Sequence, residues 1–118
     1  MTGSCRRIWH RHRAAEAALV LLAGLLMPQP ASAKPARCFT TDDGHFACDF
    51  VATDRAGSFE ISGEGVPTYA LIVDEPGVAS AFVNFGDRNI SLPGRYLRQR
   101  DDPACWGSPE TDTKICAW

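Results

Sequence analysis

Cys38-Phe39-Thr40-Thr41-Asp42-Asp43-Gly44-His45-Phe46-Ala47-Cys48 is the stretch that decides the fold. Two short runs, Cys38 to Thr41 and His45 to Ala52, flank Asp42-Asp43-Gly44. That tripeptide suits a type I turn closed by a glycine in the left-handed region, a common three-residue hairpin loop. With this loop Thr41 faces His45, and counting back three on each side sets Cys38 opposite Cys48. A hairpin stapled at its base is therefore expected here.

The same pattern continues to the C-terminus as short alternating apolar runs broken by turn chemistry. Asp54-Arg55-Ala56-Gly57 turns the chain into Ser58 to Ser62. A Gly-rich loop is expected over residues 63–68, then a central strand from Tyr69 to Val73. Glu75-Pro76-Gly77 reads as a type II turn, with proline presetting the first corner and glycine taking the positive φ of the second. Val78 to Phe85 returns, and Gly86-Asp87-Arg88-Asn89 turns again into Ile90 to Leu92. Pro93-Gly94 leads into Arg95 to Arg100. Ala104 to Trp106 and Lys114 to Ala117 form a last hairpin, whose even loop sets Cys105 opposite Cys116. About eight short strands at hairpin spacing predict an all-β fold, a small antiparallel sandwich or barrel. Phe46, Phe50, Ala79, Ala81, Val83 and Phe85 are the expected core, and Lys34 to Arg37 an expected frayed end.

Upstream of this domain, residues 1–33 read as a cleavable signal peptide. Arg6, Arg7, Arg11 and Arg13 form a basic start, Ala17 to Met27 an apolar run, and Ala31-Ser32-Ala33 a small-residue cleavage site. The apolar run is shorter than the roughly 20 residues that cross a bilayer core. Residues 34–118 are expected to remain after cleavage as one soluble periplasmic or secreted domain without a membrane anchor. Four of the 12 basic and one of the 14 acidic residues precede the cut, which leaves 8 and 13, a net charge near −5. That balance argues against nucleic acid as a partner. The cut also removes Cys5, so Cys38, Cys48, Cys105 and Cys116 form an even set in an exported chain, expected as two disulfides. Zinc favours closer Cys-x-x-Cys pairs than these.

No stretch carries the spacing of a catalytic, metal or cofactor motif, and a non-enzymatic domain without cofactor is expected. His45 sits in a turn region beside Asp42 and Asp43, and no Gly-x-Ser-x-Gly elbow supplies a nucleophile. The paired carboxylates Asp42-Asp43, Asp74-Glu75 and Asp101-Asp102 are turn residues. Tyr96, Arg98 and Arg100 alternate along one strand and so share a face. Two guanidiniums beside a phenol suit a small anionic ligand, which makes this trio the candidate binding face. The plainer reading is a solvated or charge-protected edge strand. Trp106 and Trp118 flank the last cysteines and are read as packing against a disulfide. Asn89-Ile90-Ser91 matches a glycosylation sequon.

From Cys38 to Trp118 the chain resembles small exported proteins of unknown function from alphaproteobacteria. The resemblance lies in Phe50-Val51-Ala52-Thr53-Asp54-Arg55, in residues 87–97 from Asp87-Arg88-Asn89 to Arg95-Tyr96-Leu97, and in Asp102-Pro103-Ala104-Cys105-Trp106. It implies a periplasmic or secreted address. A further likeness, in size, compartment and cysteine layout, is to periplasmic lysozyme inhibitors, which are small disulfide-tied β-barrels. Gly94-Arg95-Tyr96 is the stretch that approaches their inhibitory loop. Two functions follow as expectations: a cell-envelope domain that binds a protein partner or small ligand, or an inhibitor of a cell-wall hydrolase or protease.

Overall fold

The computed structural model describes residues 33–118. The expected signal peptide, apart from Ala33, lies outside them. Nine antiparallel strands are present among the described residues: β1 (Lys34–Thr40), β2 (Gly44–Ala52), β3 (Phe59–Gly63), β4 (Val66–Glu75), β5 (Val78–Asn84), β6 (Asn89–Ser91), β7 (Tyr96–Arg98), β8 (Cys105–Ser108) and β9 (Thr113–Ala117). Their order is β4-β3-β2-β1-β9-β8-β7-β5-β6, and β4 also pairs with β5. That last pairing closes the sheet on itself. β6 and β7 lie end to end along the same side of β5, on residues 82–84 and 78–79 respectively. The result is a closed barrel of eight strand positions, not a sandwich. A barrel of this size is filled by its own side chains.

Alternation along the strands fixes what fills it. Cys38, Ile61, Leu71, Ala79, Ala81 and Trp106 point inward and are almost wholly buried. Phe46 and Phe50 are half-buried and pack against this cluster. Phe85 is different: it is 73% exposed, contrary to its expected place in the core. β5 ends one residue earlier, where the Asn84 side chain accepts a hydrogen bond from the Gly86 amide (2.7 Å) and donates one to the Asn89 side chain (3.0 Å). Phe85 keeps the inward phase of the strand but stands beyond the barrel's rim.

The first hairpin forms with a register two residues from the expected one. Thr40, not Thr41, begins the turn and pairs with Gly44, so Cys38 faces Phe46 and Ala36 faces Cys48. The cause is Thr40, whose Oγ accepts from the Asp43 amide and donates to the Asp43 carboxylate, both at 3.0 Å. Gly44, at φ 74°, supplies the left-handed corner. A shift of two leaves every side chain on its original face, so the disulfide survives the change of register. Cys38 and Cys48 bond diagonally, with Cα atoms 5.9 Å apart. In a flat ladder that diagonal is about 7–8 Å; the twist and coiling of barrel strands shorten it.

Cys105 and Cys116 face each other directly, as expected, and are bonded. This second disulfide lies on the outer face of the wall, whereas Cys38–Cys48 belongs to the inner core. It is buried nonetheless, at the base of a depression lined by Phe39, His45 and Trp118.

Two other expectations change. Lys34 to Arg37 is not frayed: these residues form the first half of β1, paired with β2 from Lys34↔Phe50 onward. The loop expected over 63–68 is a tight turn at Glu64-Gly65, because β4 starts at Val66. Gly63 permits that early start. A Cβ there would lie 2.9 Å from both the Ala47 carbonyl oxygen and the Phe46 ring.

Replacing Cys38 and Cys48 together by alanine removes a cross-link of sequence separation 10. We expect a loss of on the order of 3 kcal/mol in urea unfolding, from the loop entropy returned to the unfolded chain. All-β circular dichroism at low denaturant should be retained.

Candidate functional site

The two ends of the barrel differ. At one end Trp106 fills the interior, and the Arg98 guanidinium lies 5.1 Å from the centre of its ring. Arg98 is fixed there by its Nε, which donates to the Pro103 carbonyl (3.1 Å). The other end carries the β1–β2, β3–β4, β5–β6 and β8–β9 turns and is open. A cavity of about 210 Å³ enters it, between Leu92 and Pro93 on one side and Thr111 and Thr113 on the other. Tyr69 and Tyr96 form part of its lining, and Asp42 and Lys114 stand beside it.

Its polar groups come from inward positions near strand ends. Tyr96 starts β7 and its hydroxyl shares a hydrogen bond with Thr113 Oγ (2.8 Å), which shares another with Thr111 Oγ (2.6 Å). Across the mouth, the Tyr69 hydroxyl donates to the Asp43 carboxylate, the same group that Thr40 holds. Burial and this carboxylate contact, in that order, push the Tyr69 hydroxyl up to about 12. The mouth is thus an aromatic-walled recess with two fixed hydroxyl networks.

Gly94 shapes the wall beside it. It takes φ 85°, and a Cβ would lie 2.5 Å from Ser108 Oγ. Ser108 is buried and donates to Glu110 (3.1 Å), which also meets Arg95 at 3.3 Å. The Glu110 carboxyl is held below its usual range by its own backbone amide first, and also by Arg95 and Ser108.

The trio expected to form a binding face is separated. Tyr96 is 2% exposed and turned into the barrel, and Arg98 covers Trp106 at the opposite end. Arg100 lies past the end of β7 and is exposed. Alternation does place Tyr96 and Arg98 in one phase, but Tyr96 is buried in the interior while Arg98, at the end of β7, is exposed at the rim. His45 is on the outer wall, with ring centroids 4.9 Å from Phe39 and 5.9 Å from Trp118. Trp118 Nε1 donates to Asp102 (3.0 Å). The recess around His45 has no serine in its lining. Among the described residues, no group of three or more His, Cys, Asp and Glu is placed to hold a metal ion. No described helix is long and apolar enough to cross a membrane.

The mouth residues Thr40, Tyr69, Leu92 and Thr113 were not legible as a site. The one available signal was threonine at inward positions of strand ends, where an apolar residue is ordinarily expected. Comparison with family models, with curated proteins and with solved structures returned no match.

The raised Tyr69 pKa gives a signed prediction. Its unfolded hydroxyl titrates near 10 and the folded one near 12. The neutral hydroxyl therefore supports the fold fully below pH ~10, and that support is lost as pH rises toward ~12. Urea midpoints should fall over this window, and Tyr69→Phe should flatten the fall. An unchanged slope in the variant would show that other groups govern the alkaline transition.

Proposed function

We propose that residues 34–118 are an exported cell-envelope domain that acts by binding, and that the open end of the barrel is its binding end. The cavity between Leu92 and Thr113 carries this reading. It is the place where the interior opens, and it combines apolar walls with hydroxyls already fixed in position. Prefixed groups lower the ordering cost of association. The two disulfides support an oxidising compartment as the address, in keeping with the signal-like residues 1–33 and the likeness to small exported proteins. A non-enzymatic role fits a histidine packed against Phe39 and stacked on Trp118 on the outer wall.

A second reading, inhibition of a cell-wall hydrolase or protease, is favoured by the first hairpin. Its turn, Thr41 to Asp43, is pinned by Thr40 and by Cys38–Cys48, and it stands beside the mouth. A rigid projecting turn of this kind enters an enzyme cleft at little entropic cost.

Native mass spectrometry of the protein, recovered gently from its own envelope fraction, tests the binding reading. The expected species is residues 34–118, lighter by four hydrogens, carrying the mass of a protein or small molecule. Thr111→Trp, which places an indole at the mouth, should remove that extra mass without lowering the melting temperature. A lone species in every preparation would count against binding as the role. Inhibition in a lysozyme and protease panel at micromolar protein would move the inhibitor reading to first place.

A further inference from the structure

Closure leaves one strand of the wall with a free side. β6 pairs with β5 alone, whereas β7, which continues along the same side of β5, goes on to pair with β8. The phase of the β5–β6 ladder follows from one hydrogen bond, Leu92 N–H to the Ala81 carbonyl at 2.8 Å. In an antiparallel pair, residues alternate between exchanging both bonds and exchanging none. Leu92 and Ile90 therefore direct their backbone groups to β5. Asn89 and Ser91 direct theirs away from it, into the gap between β6 and the β8–β9 turn. Among the described residues, no backbone partner meets them there.

The inner side of that gap is the mouth cavity, with Leu92 and Pro93 next to β6 and Thr111 and Thr113 opposite. Ile90, inward in phase and 42% exposed, lies on β6 itself, whereas Phe85 borders a separate recess with residues 65–68. An unpaired edge that carries an exposed isoleucine and a recess thus coincide at one place in the wall.

Building on the binding reading above, we infer that this end of the barrel takes an extended segment of a partner protein, added as a strand to the free edge of β6. The alternating N–H and C=O groups of Asn89 and Ser91 match the spacing of another extended backbone, a match that sugars and lipids lack. The cavity, about 210 Å³, is below the roughly 300–1,000 Å³ of small-molecule sites. It suits one inward side chain of the added strand, an apolar one given Leu92, Tyr69 and Tyr96. The turns at this end carry Asp42, Asp43, Glu64, Asp87, Glu110 and Asp112 against Arg88, Arg95 and Lys114. Lys or Arg flanking the apolar residue therefore completes the expected partner sequence.

The test begins with short linear peptides displayed on phage and panned against the oxidised, exported protein. The selected peptide is then titrated into isotope-labelled protein while amide hydrogen exchange is followed. The expected result is slowed exchange at Asn89 and Ser91, with little change at Ile90, which is already bonded to β5. Ser91→Pro removes one outward N–H that the barrel does not use. It should weaken peptide binding at least about tenfold at an unchanged melting temperature. Asn89→Pro serves the same purpose if Ser91→Pro fails to fold. Peptides that bind without protecting these two amides, or an absence of any binding peptide, would overturn strand addition. So would protection without peptide that grows with protein concentration, which assigns the edge to a second copy. A ligand found by native mass spectrometry that leaves both amides unprotected would overturn this inference alone and leave the binding reading standing.

Discussion

The β1–β9 ladder joins the first strand of the domain to the last and, together with the β4–β5 pairing, makes the sheet a ring. It consists of three residue pairs, Cys38↔Ala117, Phe39↔Cys116 and Thr40↔Ile115. So short a ladder between distant segments returns little for the loop-closure entropy it costs. Both disulfides sit on it. Cys38 ties β1 back to β2 on the inner face, and Cys116 ties β9 to β8 on the outer face. Each strand of the seam is thereby tied to its other neighbour, β1 to β2 and β9 to β8, while the seam itself is joined by backbone pairing. A domain of this size buries a limited core, so cross-links that hold both seam strands to their neighbours add cohesion beside the closure.

Closure also sets where the molecule can interact. A complete ring hides backbone groups that an open sheet would expose. The exception is β6, and it arises because the Leu92-Pro93-Gly94-Arg95 stretch divides one strand position into two short segments. Proline lacks an N–H for a ladder, and Gly94 bends the chain toward Ser108. Division of that position opens the wall at the same end where Tyr69, Tyr96 and the threonines leave a recess. At the other end Trp106 and Arg98 occupy the equivalent space. A single barrel therefore has one plugged and one receptive end, set by side-chain volume and by one irregular strand.

The polar groups at the receptive end are organised by turn chemistry. Asp43 caps the first turn through Thr40 and also takes the Tyr69 hydroxyl from β4. Ser58 plays a comparable role at the plugged end. Its amide is held by Asp54 (3.0 Å), and its own buried Oγ accepts from the Val73 amide (2.8 Å). The Asp54 carboxyl is held below its usual range by Ser58 first. In both cases a short polar side chain satisfies a backbone group that strand pairing leaves over, as buried groups require. Among the described residues, no buried side-chain nitrogen or oxygen lacks a partner.

The sequence by itself determined the all-β class, the turns and the disulfide partners, because these rest on local chemistry. Positive φ at Gly44, Gly57, Gly77, Gly86 and Gly94 follows from glycine at each turn. The pairing of Cys105 with Cys116 follows from an even hairpin loop. Cys38–Cys48 was legible even though the hairpin register was off by two, since a two-residue slip preserves the face. Only the tertiary structure decided that the sheet closes, that Lys34 to Arg37 is a strand, and which face is the interior. Alternation groups Tyr96 with Arg98 but does not say whether their shared face meets water or core; closure of the ring decides that. The same holds for Phe85, inward in phase yet exposed, because the rim is set by neighbouring strands. The mouth was out of reach for the same reason: its residues come from four strands and three loops that meet only once the ring is complete.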